Sequence, residues 1–314
     1  MFFIPGIAAV LAVIFFVLLP VSGAFFIRSG WHVFRNNLIE TSTLPKLTRA
    51  EALSTAIAPY RCQAHGIIDA IGVDTSVWIT VDTVSVKVCL DGVSLYLLTG
   101  STRYGRIRHK EDEYSVERHT WSSLPSIPTG SSVYITGTFA YKRGIPCFCQ
   151  TEEDKLLVLL HDVQPQLVTY LGVFAGRPRN EYWNPMTKIS LALGILAMTL
   201  VLLGLVSVPV ISLVSALSLS LAFSPVLPFL PPGLLGFLLY RRFWRRARYF
   251  RARRDVTLLR MSRERQVSAA SAKSHGVSYW KRRAFTNLVA SGLCFVSGFA
   301  LNFALVFILL RELL

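Results

Sequence analysis

Residues 189–240 read ISLALGILAMTLVLLGLVSVPVISLVSALSLSLAFSPVLPFLPPGLLGFLLY, and residues 241–254 continue RRFWRRARYFRARR. The first stretch is 52 residues long and contains no Asp, Glu, Lys, Arg or His. A soluble core does not need such a run, whereas a bilayer does, because charge in hydrocarbon is costly. The sequence therefore predicts an integral membrane protein, and its charged fraction of 16% agrees.

The uncharged stretch is too long for one crossing. As a single helix it would measure about 78 Å, against a hydrocarbon core of roughly 30 Å. We assign residues 187–208 to a second transmembrane helix and residues 209–240 to a third, proline-broken span. If residues 209–240 instead re-enter on one side, the chain crosses one time fewer.

The two ends of the chain are also apolar. Residues 1–27 form the predicted first span and residues 284–311 the last, which gives about four spans. Val21-Ser22-Gly23 would suit signal cleavage, but Arg28 and Arg35 follow the apolar run instead of preceding it. This charge bias favours an uncleaved anchor with its N-terminus outside.

Between the first two spans the pattern changes to period two. Residues 28–59 are a predicted connector with a short helix over Leu47–Ala58, and residues 60–186 a small all-β domain with its linker. Val84, Val86 and Val88 alternate with polar residues, as strands do. Several short strands in about 100 residues predict a barrel-like domain, with an OB-like barrel as one candidate.

Three further features subdivide this domain. Asp91-Gly92 between apolar runs predicts a hairpin. The apolar run Leu156–Leu160 predicts a strand buried on both faces. The polar stretch Arg103–Ser123 predicts a long exposed loop.

The net charge of +15 is concentrated in one place. Residues 28–187 carry a net +1, and residues 241–283 carry a net +13. With four spans, the β-domain and this basic segment lie on the same side of the membrane. The positive-inside rule then places both in the cytoplasm. We expect the membrane to be the cell (inner) membrane. A re-entrant 209–240 segment would place the β-domain outside.

The polybasic segment 241–283 interleaves arginines with aromatic residues. It predicts contact with anionic lipid headgroups rather than nucleic acid, because spans tether it at both ends. The predicted headgroup contacts are Arg241, Arg242, Trp244, Arg245, Arg246 and Arg248. In the last span, Ala290, Cys294, Gly298 and Asn302 recur every four residues and predict a helix-packing stripe. Lipid-facing or scattered positions remain the alternative.

No pattern of residues predicts a catalytic site, a metal or a cofactor. Gly100 and Gly105 have P-loop spacing, but Arg106 and Ile107 replace the Lys and Ser/Thr of that motif. Cys62, His65, Cys147 and Cys149 lack the spacing of a structural zinc site, so buried thiols are favoured. His161-Asp162 ends an apolar strand without the further ligands that a metal-dependent hydrolase needs.

One stretch resembles a known family. Glu117-Arg118, followed by Pro128–Gly137 (PTGSSVYITG), looks like the GIDE-type domain of membrane-anchored proteins. The resemblance covers about Tyr60–Gly204. In the ubiquitin-ligase members it would imply an outward-facing domain. Those ligases end in a zinc-binding RING, for which this chain has no cysteine array, so ligase activity is not implied.

These patterns favour a non-enzymatic membrane scaffold or assembly protein whose β-domain binds a protein partner or a second copy. One alternative is a channel or transporter subunit, because broken helices line cavities. Another is a membrane enzyme that uses His161 and Asp162.

Overall fold

A computed structural model describes residues 3–55, 58–72, 74–100, 114–123, 127, 129–152, 154–178, 180–206, 227, 230–231, 233–267 and 275–313. The chain divides into two compact units. The helical unit comprises Met1–Gly30, Pro178–Arg251 and Ser278–Leu314. The barrel unit comprises Trp31–Arg177 and Ala252–Val277.

The described helices follow the order of the chain. They are α1 (Phe3–Val13), which continues through a π-helical turn (Ile14–Leu18) into α2 (Leu19–Thr41), then α3 (Arg49–Leu53), α4 (Pro165–Ala175), α5 (Pro185–Val206), α6 (Gly233–Val267) and α7 (His275–Leu313).

Among the described residues, three helical stretches are long and apolar enough to cross a membrane: Ile7–Thr41, Pro185–Gly204 and Gly276–Val306. They agree with an integral membrane protein. Most of the predicted third span, namely residues 209–226, 228, 229 and 232, lies outside the described residues. Its last part, from Gly233 to Tyr240, is the beginning of α6.

The first helix extends past the predicted span end at residue 27 and continues to Thr41. No proline follows Pro20 before Pro45, so nothing in this stretch breaks the helix. Phe34 and Leu38 are buried on this extension. From Trp31 onwards the extension belongs to the barrel unit, and packing within that unit supplies the stability that its polar composition lacks.

The part of the chain that the structure describes contains eight strands in one sheet: β1 (Tyr60–Ile71), β2 (Ser76–Val81), β3 (Val84–Cys89), β4 (Leu95–Gly100), β5 (Tyr114–His119), β6 (Ser132–Lys142), β7 (Ile145–Cys149) and β8 (Leu157–His161). Five of them, in the order β1-β2-β3-β7-β6 and back to β1, close a barrel. The β3–β7 pair is parallel and the other four pairs are antiparallel. The barrel confirms the OB-like prediction.

Strand β6 connects the barrel to three additional strands. One side pairs with β1 along Ser132–Phe139, while the other side pairs with β8 over Ser132–Thr136 and with β7 over Thr138–Lys142. Beyond β8 the sheet continues with β4, in parallel, and then β5.

The alternation in the sequence correctly predicts which residues line the barrel. Ile79, Val86, Val88, Val133 and Ile135 are buried in one apolar cluster. Strand β8 is buried at every position, as the uninterrupted apolar run predicts. Side chains thus fill the barrel interior, as is usual for small barrels.

The hairpin predicted at Asp91-Gly92 is wrong. A turn is present, with Gly92 at φ 66°, but the strands that it joins, β3 and β4, do not pair with each other. The β2–β3 hairpin turns instead at Asp82 and Thr83, whose φ values are 44° and 74°. Two positive φ values match the twist of a two-residue hairpin. Such a turn usually contains glycine, and Asp82-Thr83 contains none, so the sequence did not predict it.

Two other local predictions also change. The stretch predicted as a loop over Arg103–Ser123 contains strand β5 and a 3₁₀ turn at Trp121–Ser123, whereas residues 101–113 lie outside the described residues. An edge strand can be polar because its outer side is solvated, so its composition resembles that of a loop. Helix α3 is shorter than predicted, because Thr48 and Glu51 form a capping box that fixes its start and Ser54 is extended.

Candidate functional site

The outer face of the sheet is buried as well as the barrel interior. Tyr134 and Leu159 point away from the interior cluster and are fully buried. Helix α4 packs here through Gly172, where an added Cβ would lie 2.7 Å from Leu38 Cδ2 and 3.4 Å from Leu159 Cδ2. The outer face therefore forms a second packed layer beneath α2 and α4.

Two histidines and a tyrosine form a polar cluster within this layer. His65 lies on β1 opposite Tyr134 on β6, and His161 ends β8. The His65 ring centroid is 4.8 Å from that of Tyr134 and 6.4 Å from that of His161. Period-two alternation places all three side chains on the outer face. We call His65, Tyr134 and His161 the histidine cluster.

The polar groups around the cluster are only partly satisfied. Tyr134 Oη donates to Gln63 Oε1 at 3.1 Å, and Gln63 Nε2 donates to the Leu44 carbonyl at 2.5 Å. His161 Nδ1 lies 3.0 Å from the Val163 carbonyl, so this nitrogen carries the proton. Around the cluster, three buried atoms have no hydrogen-bond partner among the described residues: His65 Nδ1, His161 Nε2 and Thr136 Oγ1.

Both histidines are neutral at neutral pH. Burial lowers the pKa of His65 to about 4, and electrostatic interactions with His161, Lys46 and Arg263 act in the same direction. Burial also lowers the pKa of His161, although the Val163 carbonyl and Asp162 oppose this. The cluster can accept hydrogen bonds or protons, but it holds no resident positive charge.

The structure does not bring His161 and Asp162 into one site. His161 is buried, whereas Asp162 is exposed at the strand end. No group of three His, Cys, Asp or Glu side chains among the described residues is arranged to hold a metal ion. Of the four side chains considered for zinc, Cys62 lies in the barrel core and His65 on the outer face.

We expect acid to destabilise the barrel unit through this cluster. A histidine whose folded pKa lies below its unfolded value of about 6.5 stabilises the fold fully above that pH. This stability is lost as pH falls towards 4, because only the unfolded state binds the proton. The melting temperature should therefore fall between pH 7 and 4.5.

His65→Gln should flatten this pH dependence, whereas His32→Gln, at an exposed position on α2, should leave it unchanged. Circular-dichroism melts of the full chain in detergent at several pH values test this. Identical slopes for the wild-type chain and His65→Gln would refute the assignment.

A second buried polar group surrounds Asp255 in the barrel unit. Arg35 Nε donates to Asp255 Oδ2 at 3.0 Å, and Arg177 Nη2 contacts the same oxygen. Arg254 Nη2 lies 2.7 Å from Oδ1. Burial raises the pKa of Asp255, but the three arginines outweigh it and hold the pKa below its ordinary value. This group, Asp255 with Arg35, Arg177 and Arg254, is called the Asp255 cluster.

Sequence reasoning missed both clusters. Asp255 is one of only two acidic residues within residues 241–283, and a lone acid among arginines was the available signal. Gln63 and His65 are two apart on β1, which places them on one face. Their pairing with Tyr134 required the β1–β6 register, which no local pattern shows.

The predicted headgroup residues lie on the first half of α6, in the helical unit. Trp244 is half-buried, with ring centroids 5.6 Å from Tyr182 and 6.1 Å from Tyr240. Arg248 is half-buried, and the exposed members are Arg241, Arg242, Arg245 and Arg246. The arginines thus present several charges outward, while the tryptophan packs within its own unit.

The predicted packing stripe lies on α7, and part of it contacts the start of α6. An added Cβ on Gly236 would lie 2.7 Å from the Cys294 carbonyl oxygen and 2.9 Å from Gly298 Cα. Asn302 Oδ1 accepts from the Gly233 amide at 3.0 Å. Asn302 Nδ2 donates to the carbonyls of Leu227 and Leu230 at 2.5 and 2.8 Å. Ala290 lies half-buried two turns before Gly298.

No protein family, curated protein or solved structure is similar enough to this chain to suggest a function.

Proposed function

We propose that this chain is a membrane-anchored scaffold whose OB-like domain binds a protein partner. The observation that carries the proposal is the open edge of the sheet. Five strands close on themselves, and β8 and β4 each pair on both sides. Among the described strands, β5 alone is paired on one side only, with β4.

An open edge of this kind suits an extended segment of another protein. The backbone amides and carbonyls on the free side of β5 can form hydrogen bonds with an added strand, and alternate side chains of that strand supply selectivity. Glu117 and Arg118 are exposed on this strand, and the Arg118 guanidinium also reaches Ser94 Oγ at 2.8 Å. Charges on an edge disfavour unselective pairing, so the occupant must match them.

A photo-cross-linking amino acid at Glu117 tests this proposal in the full-length chain within its native membrane. We expect a discrete cross-linked protein from position 117. The matched control is Lys142, exposed beside the β6–β7 turn. Equal cross-linking from both positions, or none from position 117, would reject the edge as the binding surface.

We also propose that the anchor crosses the cell membrane four times, with the barrel unit and the basic segment in the cytoplasm. The exposed arginines at the start of α6 support anionic headgroup contact, each near-surface charge contributing about 1 kcal/mol. An outward-facing domain, as the GIDE-type resemblance implies, is the competing prediction.

Labelling of single cysteines separates the two topologies. In a chain without its native cysteines, one cysteine replaces Ser123 or Ser271, and intact cells receive a membrane-impermeant maleimide. Protection of both positions until lysis supports the cytoplasmic arrangement. Labelling at Ser123 alone would place the barrel unit outside.

A channel or transporter subunit is the second candidate, favoured by the contact between Asn302 and the start of α6. Asn302 satisfies backbone groups at Leu227 and Leu230, which precede α6, and at Gly233, where α6 begins. Such interrupted backbone lines cavities in transporters. Solute flux in liposomes that Asn302→Leu abolishes would support this function over the scaffold.

A further inference from the structure

Three of the chain's five cysteines meet on the barrel wall. Cys149 Sγ lies 3.2 Å from Cys89 Sγ and 3.5 Å from Cys147 Sγ. Cys89 ends β3, while Cys147 and Cys149 lie two residues apart on β7. None of them takes part in the histidine or Asp255 clusters.

Strand pairing explains why the thiols converge. Strands β3 and β7 run parallel, with Lys87 opposite Cys147 and Val88 opposite Phe148. The next position along both strands places Cys89 beside Cys149. Val88 and Phe148 point into the core, so the cysteines on either side of them share the other face.

Geometry selects one pair among the three thiols. Neighbouring strands lie about 4.8 Å apart, which suits the Cα separation of a disulfide. Residues two apart on one strand are separated by about 6.6 Å, near the upper limit for a disulfide. Cys89 with Cys149 is therefore favoured over Cys147 with Cys149.

The same two strands form the shortest seam of the barrel. Two residue pairs join β3 to β7, whereas four to eight join the other neighbouring strands. A covalent link at this seam restrains the barrel where its hydrogen-bonded ladder is shortest.

We propose that Cys89 and Cys149 form a reversible disulfide that closes the β3–β7 seam. The oxidant is a small-molecule disulfide, RSSR. The Cys89 thiolate attacks one sulfur of RSSR, which forms a mixed disulfide and releases RS⁻. Cys149 then attacks the Cys89 sulfur and releases the second RS⁻. The two cysteine protons end on the released thiols, giving two RSH.

Exposure and charge set the order of these steps. Cys89 is half-buried, while Cys149 is 6% exposed, so the external disulfide reaches Cys89 first. Lys142 hydrogen-bonds Cys149, the sulfur that attacks second. Burial, with the hydrogen bond from Cys149, raises the pKa of Cys89 to about 11. Oxidation should therefore accelerate by about tenfold per pH unit between pH 7 and 9.

The test uses the full chain in detergent, equilibrated with oxidised and reduced glutathione, with free thiols then alkylated and disulfides mapped by mass spectrometry. We expect a Cys89–Cys149 disulfide that raises the melting temperature by about 5 °C or more. Cys147→Ser is the matched control and should retain the bond. Cys89→Ser and Cys149→Ser should each reduce the yield of intrachain disulfide by at least about tenfold.

Three outcomes would overturn the proposal. The first is a main disulfide that contains Cys147 or Cys62. The second is an equal yield after unfolding in urea, because native proximity would then be irrelevant. The third is co-purified zinc or copper whose removal by a chelator is required before any thiol reacts. Melts of the reduced serine variants show whether each still folds.

Discussion

Asp255→Asn is expected to reduce the free energy of unfolding of the barrel unit by about 3–5 kcal/mol. The substitution keeps the shape of the side chain and removes its charge. Arg35 and Arg177, each 7% exposed, would then remain buried without the carboxylate that they share. Breaking such a pair costs more than forming it contributes, because the remaining ions have already lost their water.

Hydrogen–deuterium exchange of strands β1 and β6 in the full chain measures this loss in the barrel unit itself. Asp162→Asn is the matched control, since this carboxylate is exposed, and it should change the stability by less than about 0.5 kcal/mol. Equal protection in the two variants would show that the Asp255 cluster contributes no more than a surface ion pair.

Gly236→Ala is expected to disrupt the packing of α6 against α7 and to cost about 1–3 kcal/mol. The added methyl group would meet the Cys294 carbonyl and Gly298 Cα, which are backbone atoms that no side-chain rotation can move away. Close approach through small residues is a main source of helix association in lipid. The two helices must therefore separate or shift along each other.

Gly292→Ala on the partner helix α7 supplies the control, because an added Cβ there meets nothing within 4 Å. It should keep or slightly raise stability, as alanine favours helix over glycine. The measurement is the melting temperature of the full chain in detergent, together with disulfide trapping between cysteines placed on α6 and α7. A Gly236→Ala chain as stable as Gly292→Ala would contradict the contact.

Patterns that repeat along the chain predicted the fold well. Period-two alternation identified the strands around Val86 and Val133, and uncharged runs identified helices that can span a membrane. Features set by distant pairing were not predictable. The β3–β4 connection resembled a hairpin at Asp91-Gly92, yet both strands find their partners elsewhere, because parallel pairing with β7 and β8 depends on the whole sheet.

The candidate sites show the same difference between local patterns, which a sequence displays, and contacts between distant residues, which it does not. The recurrence of Cys294, Gly298 and Asn302 every four residues is a local pattern, and a sequence can display it. In the Asp255 cluster, Asp255 lies 78 positions after Arg177 and 220 positions after Arg35. No period connects such positions, so only the tertiary structure brings them together.

The discontinuity of the barrel unit has a consequence for synthesis on the ribosome. Residues 31–177 emerge first, but the carboxylate that neutralises Arg35 and Arg177 is made 78 residues after Arg177. At about 5–20 residues per second, this takes roughly 4–16 s, during which the chain also makes its longest apolar run. The nascent barrel unit must keep both arginines hydrated until then. Its final compaction therefore follows synthesis of the apolar segment, and chains that stall within that segment remain incomplete and open to proteolysis.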